Sequence, residues 1–106
     1  MKFTVAQSDF SKALLSATKS LTARANLPIL ANVLLAASKN KLSVLATDLE
    51  TATQTTVSCQ VVVEGKITVP GKVLGEFVAQ VPDGEILVEK LGEELVLWAK
   101  GYSARF

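Results

Sequence analysis

Polar and apolar residues alternate over Lys2-Phe3-Thr4-Val5, the period of a strand with one buried face. The period then changes. Phe10, Ala13, Leu14, Ala17 and Leu21 fall at helical spacing, and Ser8 or Asp9 is placed to cap a helix running to about Leu21. At about 100° per residue, Lys12, Ser16 and Lys19 project nearly opposite that stripe, so one side is apolar and the other basic. Beyond Pro28 come three strand-like runs, 29–38, 41–47 and 51–59, with Lys39-Asn40 suited to a tight hairpin between the first two. Thr51, Thr53, Thr55 and Val57 favour strand because β-branched side chains resist helix.

A further run over 60–69, with Gly65 inside it, leads to Pro70. Proline suits the first position of a helix, and 70–81 reads as one. Its buried side is expected to be Val73, Leu74, Phe77, Val78 and Val81, with Lys72, Gly75, Glu76 and Ala79 facing away. Pro82-Asp83-Gly84 ends it with turn chemistry, and strands follow over 85–91, 95–99 and from Tyr102 onward. The order strand, helix, three strands therefore occurs twice, a repeat of pattern and not of sequence. The fold class expected is α+β, with two helices packed on one face of paired antiparallel sheets. The last strand meets Phe106 without a turn or cap, which reads as a domain cut from something longer.

At 106 residues the chain suffices for one domain with its own core, and 49% apolar residues exclude disorder by composition. The longest apolar stretch, 27–37, is broken by Pro28 and Asn32 and falls short of the roughly 20 residues that span a bilayer. Gln7, Ser8 and Asp9 interrupt any leader-like run after Lys2, so no membrane and a cytoplasmic location are expected. Cys59 is the only cysteine and there is no histidine. An internal disulfide is impossible, a thiolate metal site is not expected, and the Ser-His and Cys-His nucleophile pairs are excluded. A net charge of +1 selects no partner by itself; placement has to do that.

Few side chains invite chemistry. Arg24, at the joint between the first helix and the Pro28 turn, can fork onto phosphate oxygens or enter a minor groove, or can simply be a solvated cation at a helix end. Lys12 and Lys19 either keep the outer side of a helix in water or neutralise phosphates. Lys72 takes the same place on the second helix, with Glu76 one turn on and able to pair with it. Asp48 and Glu50 lie two apart on one strand face. They lack a third ligand, so a turn and strand-end role is expected there, with no catalytic residue, no metal and no cofactor. Cys59 and Trp98 read as core or strand-packing residues. Arg105 and Phe106 are either an interface element on an edge strand or an ordinary strand end whose ring packs inward.

Five segments in order, Met1-Lys2-Phe3-Thr4-Val5, Leu27-Pro28-Ile29-Leu30, Thr47-Asp48-Leu49-Glu50, Thr68-Val69-Pro70 and Arg105-Phe106, carry a family resemblance. The chain resembles the N-terminal domain of the bacterial sliding clamps, the β subunit of DNA polymerase III, from Met1 to Phe106. The resemblance implies the DNA clamp fold, two βαβββ units with the last strand truncated here. It implies a three-domain subunit of which this is the first, and a homodimeric ring closed head to tail around double-stranded DNA. It also implies a non-catalytic processivity factor that holds a replicative polymerase on DNA of any sequence. Arg24, Lys12, Lys19 and Lys72 would face DNA. Arg105 and Phe106 would meet the third domain of the partner subunit. The site for polymerase and clamp loader peptides would lie between the second and third domains, outside this chain. One departure is that Val73, Ala79 and Gln80 leave the second helix poor in charge. The rival readings are a stand-alone protein-interaction module of the same build and a small metal-dependent enzyme around Asp48.

Overall fold

The structure is a computed structural model that describes residues 1–22, 32–47 and 52–106. β1 (Lys2–Ala6) runs straight into α1 (Gln7–Thr22), followed by β2 (Asn32–Ser38), β3 (Lys41–Thr47), β4 (Ala52–Ser58) and β5 (Gln60–Val63). The second half holds β6 (Gly65–Pro70), α2 (Gly71–Gln80), β7 (Glu85–Leu91), β8 (Glu94–Ala99) and β9 (Tyr102–Arg105). The strands form two antiparallel sheets, ordered β4-β3-β2-β6 and β5-β1-β7-β8-β9. β1 pairs with β7, and β6 pairs with β2. Each half thus places its first strand in the sheet of the other, and the halves cannot separate without breaking both sheets.

The 60–69 run, expected as one strand, is two. β5 pairs with β1 in one sheet and β6 with β2 in the other, so the chain crosses between sheets at Glu64-Gly65. A single straight strand cannot serve both ladders. At the crossing, a Cβ on Gly65 would sit 2.8 Å from the Cβ of Met1, so only glycine lets the chain pass so close. The Lys39-Asn40 hairpin tip holds the crossing in place. Both residues have positive φ, 52° and 58°, the signature of a type I′ turn. The Asn40 side-chain oxygen accepts from the Val61 N–H at 3.1 Å, its carbonyl accepts from the Cys59 N–H at 3.1 Å, and the Lys39 N–H donates to Glu64 at 3.0 Å.

α1 starts at Gln7, ahead of the expected Ser8 or Asp9 cap. The Gln7 N–H donates to the Gly84 carbonyl at 2.7 Å and its side-chain amide to the Val78 carbonyl at 2.8 Å, near the C-terminus of α2. Tertiary partners fixed this end where a local cap was expected. Pro70 is the N-cap of α2 and not its first residue. The buried side of α2 is Gly71, Leu74 and Val78, with Val81 just beyond, while Phe77 is half-buried and Val73 is 54% exposed. Val73 therefore faces outward where the period had put it inside, and Gly75 is half-buried. The roll of α2 sets Gly75 beside α1, where a Cβ would lie 3.8 Å from that of Leu14, in ordinary contact.

Alternate residues of the strands face one core. Phe3, Val5, Leu35, Leu42, Val44, Ile86, Val88, Leu95 and Leu97 join Phe10, Leu14 and Leu74 of the helices in a single buried cluster. Phe3 and Phe10 meet edge to face with centroids 6.4 Å apart. Among the described residues no polar or charged side chain is buried.

Two substitutions test this packing. Leu14→Ala, at the fully buried meeting point of the helices, is expected to cost about 2–5 kcal/mol in urea unfolding. Gly65→Ala is expected to cost about 1–3 kcal/mol, because Met1 and the β5–β6 crossing must move apart. An unchanged midpoint for Gly65→Ala would show that the crossing is not tight.

Candidate nucleic-acid interface

α1 and α2 lie beside one another, α1 across β3 and β4 and α2 against β2 and β6. The sides that both helices turn from the core form the free side of this helical layer. On α1 it carries Lys12, Leu15 and Ser16, and on α2 Lys72, Val73, Glu76 and Gln80, all exposed. Lys12 and Lys72 make no ion pair or side-chain hydrogen bond among the described residues, so both ammonium groups are open to an external anion. Lys72 and Glu76 project from the same side one turn apart but do not form the ion pair their spacing permits.

Of the other expected contacts, Lys19 lies within α1, but its side chain is outside the described residues, as is the whole of Arg24. Asp48 and Glu50 are outside them too. Val73 contributes an exposed apolar surface between charges that the helical period had assigned to the core. Only the roll of α2 against Leu14 could have revealed it.

Arg105 and Phe106 follow different paths at the sheet edge. Arg105 on β9 reaches Glu94 on β8 at 3.3 Å, both side chains largely in water, an ion pair of little energetic weight. Phe106 exchanges backbone hydrogen bonds with Leu95 at 2.8 and 2.9 Å, and its ring meets Phe77 of α2 at 6.0 Å between centroids. The ring thus packs against the core while the backbone continues the edge of the five-stranded sheet.

Cys59 and Trp98 match strand packing. Cys59 is half-buried, and burial pushes its thiol up from the ordinary value, which keeps it protonated and poorly nucleophilic at neutral pH. Trp98 stands 38% exposed on β8, opposite Leu87 and Ser103, so it belongs to the sheet surface and not to the core. Among the described residues no three Cys, Asp or Glu side chains come together in a way that would hold a metal ion.

The arrangement of helices and sheets has counterparts. The family model described as DNA polymerase III beta subunit, N-terminal domain, matches residues 1–106. A beta sliding clamp of Synechocystis sp. is 39% identical over 88 residues, covering 81% of this chain and 22% of that protein. One from Vibrio cholerae is 36% identical over 104 residues, covering 97% of this chain and 28% of the relative. The crystal structure of a DNA polymerase sliding clamp from Caulobacter crescentus superposes with a TM-score of 0.90 at 33% identity, over 99% of this chain and 29% of that one. The chain therefore spans about a quarter of the length of these two curated relatives. Sequence, strand exchange and paired helices agree, and the chain belongs to the DNA polymerase III β subunit family, the bacterial β sliding clamps, as an N-terminal domain of that family.

Proposed function

We propose that this chain is the first domain of a three-domain, ring-shaped sliding clamp that encircles duplex DNA and tethers a replicative polymerase to it. The observation that carries the reading is the free side of the helical layer, where Lys12 and Lys72 are exposed and unpaired among the described residues, in a chain of the sliding clamp family. Ammonium groups on flexible stems attract phosphates without reading base edges. A ring that must travel along any sequence needs this kind of contact, since base-specific hydrogen bonds would hold it at one site. Encirclement supplies retention; the lysines keep the backbone centred. Arg24 and Lys19 join them by resemblance to the family.

The role is accessory and non-catalytic, with no cofactor. The ring closes as a homodimer, with Arg105 and the β9 edge, backed by Phe106, set against the third domain of a partner subunit. Unpaired backbone groups on an outermost strand support that assignment, because they are an available template for another strand. Polymerase and clamp loader engage the other domains. Among the described residues no helix is long and apolar enough to cross a membrane, which is in keeping with a cytoplasmic site of action.

The test is duplex binding by the 106-residue chain, read by fluorescence anisotropy on a labelled duplex. Binding is expected to be weak and to fall steeply with salt, by roughly 0.9 log units of affinity per log unit of salt for each phosphate neutralised. Lys12→Glu is expected to weaken it several-fold at low salt with the circular dichroism spectrum unchanged. Affinity that ignores both salt and Lys12 would remove the electrostatic account.

A further inference from the structure

Three acidic side chains of this domain have evident structural work. Asp9 sits in the first turn of α1, where a negative charge complements the helix N-terminus. Glu94 pairs with Arg105, and Glu64 accepts the N–H of Lys39 beside the sheet crossing. What sets Glu76 apart is its place: it lies inside α2, exposed, one turn from Lys72 on the free side, with no side-chain hydrogen bond or ion pair among the described residues. Glutamine would serve the helix equally well, since the two residues have nearly the same helix propensity. The fold therefore gives no reason for the negative charge itself.

Resting on the duplex-binding reading above, we infer that Glu76 is a specificity- and strength-setting residue of this face: its carboxylate weakens the phosphate contact made by Lys72 and keeps α2 from gripping DNA. Residues one turn apart on a helix have side chains about 6 Å apart. That is within the roughly 8 Å over which physiological salt leaves charges in communication. A phosphate drawn to Lys72 is thus repelled by Glu76 at nearly the same range, and the attraction that Lys72 offers is reduced. Val73 on the same side adds no polar group that could compensate. The hold on DNA then falls more to α1 and Lys12, while α2 contributes a weaker contact. A contact divided in this way is loose on one side, as translation along the backbone requires.

The experiment compares the parent chain with Glu76→Gln, which keeps shape and helix propensity, and with Glu93→Gln, the same charge change on the exposed β7–β8 turn and outside both helices. Anisotropy on a labelled random-sequence duplex is read from low to high salt. Glu76→Gln is expected to bind about threefold tighter at low salt, the factor that one unit charge at this distance in water produces, with the gain fading as salt rises. Glu93→Gln is expected to change affinity far less. Equal tightening by both variants would reduce the effect to net charge and overturn the inference, as would unchanged or weaker binding by Glu76→Gln with native circular dichroism. These outcomes differ from failure of the underlying reading, in which binding by the parent chain is itself insensitive to Lys12→Glu and to salt.

Discussion

The exchange of first strands between the two halves is the constraint from which the rest follows. β1 completes the sheet of β7, β8 and β9, and β6 completes that of β2, β3 and β4. Because hydrogen-bonded ladders tie each half into the other, the two sheets have a fixed relation, and the helices that follow β1 and β6 start from fixed places. The exchange requires a chain crossing between the sheets at Gly65, hard against Met1, and the Lys39-Asn40 turn binds that crossing through three hydrogen bonds. A change at this small junction would be felt by both sheets.

The helices then settle by contact with one another. Leu14 meets the flank of α2 at Gly75, where a Cβ would lie in ordinary contact with it. Gln7 ties the start of α1 to the last carbonyls of α2. With their apolar sides committed to the core, what remains is a surface of mixed character: two lysines and a glutamate without ion pairs among the described residues, beside exposed Leu15, Ser16, Val73 and Gln80. The face is modest in charge, in keeping with a chain whose net charge is only +1.

Much of the architecture was legible in the order of residues. Strand and helix periods gave the two helices and nearly every strand, Lys39-Asn40 gave its hairpin, and the twofold recurrence gave the likeness of the two halves. Errors fell where a distant partner overrode a local signal. The 60–69 run has no internal mark of a sheet change apart from Gly65, since β-branched residues suit either ladder. Val73 lies within reach of the helical stripe of α2, and the packing of α2 against α1 left it outward. For the site, Lys12 and Lys72 were visible as polar positions opposite apolar stripes, because side-chain direction on a helix follows from its period.

The sequence by itself determined the elements, the apolar stripes that drive them together, and the absence of histidine chemistry, because these depend on residue type and local spacing. Tertiary structure alone decided which sheet each half's first strand joins, how far α2 rolls, and whether Lys72 and Glu76 pair or stand apart. Those outcomes rest on contacts between residues far apart in the chain, such as Gly65 with Met1 and Gly75 with Leu14, whose geometry no local pattern encodes.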